Sequence, residues 1–415
     1  MSANGLPGSR PASLEQLQGL PLPVDIWERD ILRLRCRDYA AGQVSSLTSR
    51  GDLIWIGSGS GKTFCTFRGE ARPFLPVSAP DESLLSEPAR RVLSILQKQG
   101  ASFFSDIRSG GNLSLAALNA ALAELFWNAW VTNDVFHELV SVKRLTRLAV
   151  DIPVERVELV MPHRREARGR LMGTVRRAIR QVPGWSGRWS LLRAPSVLGP
   201  DLSEEDRAQR QAQQLLNRYG IVAREFYQRE ALLPWAVVAT ELQRMEMRGE
   251  IRRGYFVEGF SGMQYAHPLA VEDLRRLKAS HEDQPVVILL NACDPANMYG
   301  LGVELPITAF TEGRSRFARL AGNFIAFEEG TPILWIENEG SRIWTIGRPE
   351  TESVRAGLRK LLELMKLPPP MQPLREIHVE YWDGERPAGS SWGSVLQQLG
   401  FRGAANQTMR CDAYG

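Results

Sequence analysis

Glycine-rich backbone followed by Gly61, Lys62 and Thr63, in the stretch WIGSGSGKTFCTFR from Trp55 to Arg68, has the residue types with which nucleotide hydrolases cradle phosphate. The spacing does not follow. G-x-x-x-x-G-K-[ST] needs a glycine at 56, where Ile56 stands, and a phosphate loop must open a helix whose free N–H groups face the anion. Thr63 to Phe67 is instead a β-branched and aromatic run, and Leu53 to Ile56 before the glycines is another. The stretch therefore reads as a β-hairpin with a cation, Lys62, near its tip, a group placed to meet nucleic acid.

Two further groups have the composition that binds nucleic acid. Between Lys143 and Arg193 thirteen Lys and Arg face four Asp and Glu, a net +9, against +4 for the whole 415-residue chain. Arg176, Arg177, Arg180, Arg188, Trp185 and Trp189 in this tract combine cations that neutralise phosphates with rings that stack on bases. A solubilised linker between domains has the same composition, so both readings stay open. The second group is Gln243, Arg244 and Arg248 at the end of an expected helix, Arg252 and Arg253 on the strand after it, and Gln264 further along. Cations also gather at helix C-termini to complement the dipole, and Arg252 and Arg253 alternate, so only one of them can face a given surface of the strand.

Catalytic patterns are sparse. Asp294 ends an apolar strand in a Pro/Asn turn, where carboxylates act in catalysis but more often cap the turn, and Asp412 is a lone acid beside a strand near the C-terminus. No Ser/His/Asp set, carboxylate pair or dinucleotide fingerprint stands out. Cys36, Cys65, Cys293 and Cys411 are scattered, as are the five histidines, so no metal site, disulfide framework or cofactor is expected and each cysteine reads as a small buried hydrophobe.

Positioning these groups takes several helices and strands. The ends of three long helices share one frame: Leu47, Gly51, Leu53; Leu125, Ala129, Val131; Met245, Gly249, Ile251. An apolar residue, a small residue four on and an apolar residue two beyond predict a helix stop followed at once by a strand. Three such helices, each followed by a ribbon, predict tandem winged-helix modules, in which the last helix can enter the major groove and the hairpin lies over backbone. From about residue 284 short alternating strands separated by turn residues predict a mostly antiparallel, β-barrel-like domain with the helix TESVRAGLRKLLELMK inserted. The expected organisation is α+β and multidomain: a first winged-helix-like module at 1–80, a second at 81–142, a basic linker at 143–200, a third module at 201–283 and the β-barrel-like domain at 284–415.

Hydrophobic residues at 43% and charged residues at 24% are those of a folded soluble protein. No apolar run approaches the roughly 18 residues of a membrane span, and the N-terminal sequence lacks the layout of a signal peptide, so a cytoplasmic protein with no membrane partner is expected.

LNRYGIVARE, MEMRGEIRRGYFVEGFSGMQYAHP, GRWSLL, DPANMYG and LQGLPLPVDIWERDIL together resemble the C-terminal region of the long bacterial large helicase-related (Lhr) DNA-repair helicases. The resemblance spans nearly the whole chain. It implies winged-helix modules followed by a β-barrel, a plan similar to that of winged-helix DNA glycosylases, and a tendency to form homo-oligomers. It also implies a carboxylate near the C-terminus in uracil removal, for which Asp412 is the nearest counterpart. Nothing in the sequence resembles the family's Walker A or D-E-x-H box, so the chain reads as the tail of such a protein without its motor, with a separately encoded Lhr-type helicase as one expected partner. Two functions are carried forward: a DNA-binding and assembly module in DNA repair, taking single-stranded or duplex DNA, and a cofactor-independent DNA glycosylase that excises uracil or a damaged base with Asp412 or Asp294 as its carboxylate.

Overall fold

The computed structural model describes residues 10–36, 39–40, 42–59, 61–76, 80–142, 185–227, 230, 233–279, 286–300, 303–305, 307, 317–366 and 374–413. The chain divides into two units, one of Met1–Gln43, Arg72–Leu75 and Asp201–Gly415, the other of Val44–Ala71 and Pro76–Pro200.

In the second of these units a short helix, α1 (Gln43–Ser49), leads into the hairpin of β1 (Leu53–Gly57) and β2 (Lys62–Phe67), which are antiparallel from Leu53 opposite Phe67 to Gly57 opposite Thr63. The glycine-rich segment is thus a strand-to-strand tip, and Lys62 is exposed on it. Gly57 is required by close approach: a Cβ there would come within 2.0 Å of the Phe126 carbonyl oxygen. After the hairpin come α2 (Glu87–Gln99), β3 (Ser102–Phe103), α3 (Phe104–Gly111), α4 (Leu115–Trp127) and β4 (Val131–Asn133). Serine hydroxyls start both long helices: Ser86 accepts the Ala89 N–H and Ser114 accepts the Ala117 N–H. The third strand of this sheet, β5 (Arg188–Leu191), lies between β3 and β4 and pairs antiparallel with both. Helix, strand, helix, helix and two strands, with the last strand central, is winged-helix topology. Part of the stretch expected as a linker at 143–200 is therefore a strand of the second module's own sheet, and that strand, β5, lies within the C-terminal part of the basic tract. Arg176, Arg177 and Arg180 lie outside the described residues.

The other unit contains the same topology at 201–266: α5 (Glu204–Tyr219), β6 (Ile221–Val222), α6 (Arg224–Tyr227), α7 (Trp235–Met247), β7 (Arg252–Gly254) and β8 (Gln264–Ala266), in sheet order β6-β8-β7. Ser203 caps α5 by accepting the Asp206 N–H at 3.0 Å, with Glu204, Glu205 and Asp206 against the helix dipole. Leu215, Leu216, Val238, Leu242, Met245, Ile251 and Tyr265 form the core between helices and sheet. A further helix, α8 (Pro268–Ala279), follows.

The repeated frame has one physical cause in all three copies. Gly51, Ala129 and Gly249 adopt φ of 78°, 57° and 78°, the left-handed conformation that turns a helix end. The residue after each donates its N–H back to the first apolar member of the frame: Asp52 to Leu47 at 3.0 Å, Trp130 to Leu125 at 2.9 Å and Glu250 to Met245 at 3.0 Å. The next residue, Leu53, Val131 or Ile251, is buried and begins or precedes the strand. A backward bond of this kind satisfies a terminal helix carbonyl and sets the angle at which the wing leaves the helix.

The C-terminal region does not form the β-barrel that the sequence predicts. Among the described residues the five-stranded sheet is open, with β9 (Val287–Asn291) and β14 (Tyr381–Trp382) at its edges and β10 (Phe324–Glu328), β11 (Thr331–Glu337) and β12 (Arg342–Thr345) between them. All pairs are antiparallel except β12 with β14. Short alternating strands suit a barrel or a helix-backed sheet equally; here α9 (Thr351–Met365) packs on one face, where Gly357 lies against Ala326 and Leu334, while Ile325, Phe327 and Trp335 bury the other. A separate small sheet joins β13 (Glu376–Val379), β16 (Met409–Asp412) and β15 (Arg402–Gly403), in that order.

Among the described residues no helix is long and apolar enough to cross a membrane, and no group of three His, Cys, Asp or Glu is placed to hold a metal ion. The four cysteines are free thiols, and Cys65 alone of them is fully buried. Gly249 has open space where a Cβ would stand, so Gly249→Ala tests the frame without a clash. The left-handed turn should make that substitution cost about 1 kcal/mol in urea unfolding; an unchanged midpoint would show that the turn does not set the strand.

Candidate nucleic-acid interface

The third module offers an open cationic surface. On α7 the residues Ala236, Thr240, Gln243 and Met247 are exposed at helical spacing, opposite the buried Val238, Leu242 and Met245. Met247 is 84% exposed, and Tyr255 just beyond β7 is 77% exposed. The sequence reading did not select these two; Met247 follows Gln243 by four residues and could have been found from that spacing.

The arginines here differ in what already holds them. Arg244 is bound to Glu205 at 2.5 Å and to Glu241 at 3.5 Å. Arg248 grips Glu250 at 2.6 Å and Glu241 at 3.1 Å. Hydrogen bonds from Arg248 hold the Glu250 carboxyl below its ordinary range, and hydrogen bonds to Glu250 and Glu241 raise the Arg248 pKa in turn. Arg252 and Arg253, on the edge strand β7, are both exposed, and neither has an ion pair or side-chain hydrogen bond among the described residues. Side chains alternate along a strand, so the two leave opposite faces of β7. An unpaired arginine keeps all five of its N–H donors and its charge for a phosphate.

Other expected contacts are in the core. Gln264 is fully buried: its carbonyl accepts the N–H groups of Phe256 and Val257 at 2.9 Å, and its amide donates to the Val257 carbonyl at 2.8 Å. It shapes the wing, and its burial keeps it from a base. Trp185 and Trp189 are 5% and 0% exposed, ring to ring at 5.5 Å, and Trp185 Nε1 donates to Asn119. Burial of these large rings against the second module's sheet removes them as stacking platforms. Arg188, between them in sequence, is exposed and paired with Asp134 at 3.0 Å.

The two carboxylates also differ. Asp294 is buried and clamped by the Arg35 fork, Nη2 at 2.7 Å and Nε at 2.9 Å, while it also accepts the Ala296 N–H at 2.7 Å. Burial alone would lower the Arg35 pKa; the Asp294 charge outweighs it and raises the guanidinium above its ordinary value. Arg319 closes the same turn by donating to the carbonyls of Asp294, Asn297 and Tyr299. Nearby, burial pushes the Asp30 carboxyl up to about 6 against the pull of Arg29, and Asn291 donates to it at 2.7 Å. Breaking a buried pair of this type costs about 3–5 kcal/mol, which is a structural role for Asp294. Asp412 stands opposite Glu376 at the end of β16, half exposed, with Arg410 donating to it at 3.0 Å and pairing with Glu376 at 2.8 Å.

Sequence comparison bears on these modules directly. Residues 201–286 match the model of the fourth winged-helix domain of large helicase-related proteins, and residues 7–67 match that of the third. The chain carries Lhr winged-helix domains. It is 29% identical over 412 residues to the Lhr helicase/uracil glycosylase of Escherichia coli K12, covering 92% of this chain and 26% of that protein. It is likewise 29% identical over 364 residues to the Lhr helicase/probable uracil glycosylase of Mycolicibacterium smegmatis, covering 85% of this chain and 23% of the relative. The chain thus spans about a quarter of the length of these Lhr proteins, and both matched domain models are winged-helix domains rather than motor domains. Among solved structures, the Streptomyces sahachiroi DNA glycosylase AlkZ aligns over 85% of this chain and 95% of its own, at 14% identity and a TM-score of 0.42, a likeness too loose to define a common fold.

If the unpaired wing arginines are the phosphate contacts of this Lhr-type module, Arg252→Ala and Arg253→Ala should each weaken DNA binding across sequences and lower the slope of log affinity against log salt by about one. Arg248→Ala, whose charge is already held by two glutamates, should change that slope much less. Equal effects at all three positions, measured by fluorescence anisotropy, would contradict the distinction.

Proposed function

We propose that this chain is a DNA-binding module acting in DNA repair, with the wing of its third winged-helix domain as a principal phosphate contact. The observation that carries this reading is that Arg252 and Arg253, exposed on an edge strand beside the open face of α7, have no ion pair among the described residues. A winged-helix domain places its last helix in or over the major groove and its ribbon on backbone, and both elements here carry exposed residues. The basic tract from Lys143 onward supports the reading by composition, and its C-terminal part includes β5, a strand of the second module's sheet. Lys62, exposed at the tip of the first hairpin, is a further cation of the same kind. Strand separation would come from a separately encoded Lhr-type motor, with this chain supplying grip and assembly.

A second reading is a cofactor-independent glycosylase, favoured by similarity to an Lhr helicase/uracil glycosylase and an Lhr helicase/probable uracil glycosylase. Its chemistry needs a carboxylate that activates water or stabilises a cationic sugar after the base is flipped out. Asp412 is the more accessible of the two candidates; Asp294 is buried and spent on Arg35. Incubation of the purified chain with uracil-containing single-stranded DNA, followed by alkali, separates the readings. Scission that disappears in Asp412→Asn supports the glycosylase. Salt-dependent binding without scission supports the binding module. Absence of salt-dependent binding overturns the proposal.

A further inference from the structure

A cleft of about 290 Å³ lies within the unit that holds the first hairpin, between the turn after α1, the base of the β1–β2 ribbon and strands β4 and β5. Three arginines from distant parts of the sequence, Arg50, Arg68 and Arg188, line it, against one carboxylate, that of Asp134. Asp134 is committed to Arg188, accepting its backbone N–H at 2.7 Å and its Nε at 3.0 Å. Arg50 Nε is bound to Asp52 at 3.0 Å. Arg68 donates Nε to the Gly51 carbonyl at 2.6 Å and meets no carboxylate among the described residues. A carbonyl orients a guanidinium without neutralising it, so Arg68 brings a full charge to the cleft, and each arginine has N–H donors in excess of those its partners use.

The polar floor makes no competing demand. Thr132 donates to the Trp55 carbonyl at 2.8 Å, and Asn133 accepts the Val135 N–H at 2.8 Å. Gly51 has φ of 78°, and a Cβ there would stand 3.0 Å from Arg68 Nη2, so the turn that ends α1 also leaves room for this guanidinium. The cleft's three guanidinium groups outnumber its one carboxylate. Its volume is at the small end of ligand sites, enough for a phosphate with its sugar and too small for a duplex. Fork-shaped guanidinium donors match phosphate oxygens in pairs.

The geometry points to a phosphate site for one nucleotide of a DNA strand in this cleft, with Arg68 as its principal ligand and Arg50 and Arg188 flanking it. This rests on the reading of the chain as a DNA-binding protein and adds a contact separate from the third module's wing. The source of the phosphate, a strand end or an internal linkage, is open to test. The full chain is titrated by calorimetry with thymidine 5′-monophosphate, with the dinucleotide TpT bearing no terminal phosphate, and with thymidine. At least one phosphate-bearing probe should bind ten times more tightly than thymidine, the monophosphate leading for a strand end and TpT for an internal linkage. Arg68→Gln should weaken that binding at least tenfold with an unchanged far-ultraviolet circular dichroism spectrum, while Arg275→Ala, at an exposed position on α8, leaves it intact. Arg50→Gln, at an exposed position, provides the same loss to a smaller degree if Arg68→Gln proves unstable. Equal binding of all three probes, or wild-type binding in both variants, overturns the site. Loss of oligonucleotide binding on Arg253→Ala with no monophosphate or TpT binding would sink the cleft and leave the wing standing; the reverse pattern would sink the wing alone.

Discussion

An arginine whose charge is already met by a carboxylate of its own chain has little to offer a phosphate, and that constraint decides which cations here can bind. Bringing a second anion to a paired guanidinium means either breaking the first pair or placing two negative groups together, and each option takes back much of the gain. Arg244 and Arg248 are held in this way by Glu205, Glu241 and Glu250, whereas Arg252 and Arg253 are not. The paired arginines tie the end of α7 to α5 and to the following turn. The unpaired ones extend from a strand whose start is fixed by the left-handed Gly249. One helix end therefore combines a structural set of cations with an available set a few residues away.

Much of this arrangement was legible in the sequence because it depends on local rules. The frame of apolar, small and apolar residues is a backbone requirement, and the positive φ of Gly51, Ala129 and Gly249 satisfies it at every copy. The hairpin in place of a phosphate loop was equally readable, from the β-branched run after Lys62 and the missing glycine at 56. Pairing between distant residues was not. Nothing near Arg188 announces that its strand slots between β3 and β4, so Trp185 and Trp189 read as exposed rings in a basic tract and prove to be core. Gln264 failed as a base contact for the same reason: its partners, Phe256 and Val257, are set by how the wing folds back. The expected barrel was an error of closure, since strand pattern fixes which faces are buried and leaves open whether the edges meet.

The carboxylates follow the same logic of commitment. Asp294 lies in the turn where the sequence placed it, and the fork of Arg35, from more than 250 residues away, consumes its oxygens. Asp412 shares Arg410 with Glu376 and keeps a solvent-facing side. Of the two, only Asp412 could reach a sugar without dismantling a buried pair, and the cost of that dismantling is comparable to a large part of a domain's net stability.

The claim that internal pairing silences an arginine has a direct measurement. Removing the restraining acids in Glu205→Gln with Glu250→Gln frees part of the charge of Arg244 and Arg248, and Glu272→Gln, an exposed position on α8, removes a negative charge without freeing an arginine. Oligonucleotide affinity measured across a range of salt should rise severalfold in the double variant, with a steeper slope by about one released counterion, and change little in Glu272→Gln. An unchanged slope in the double variant, or the same rise in both proteins, would contradict the account.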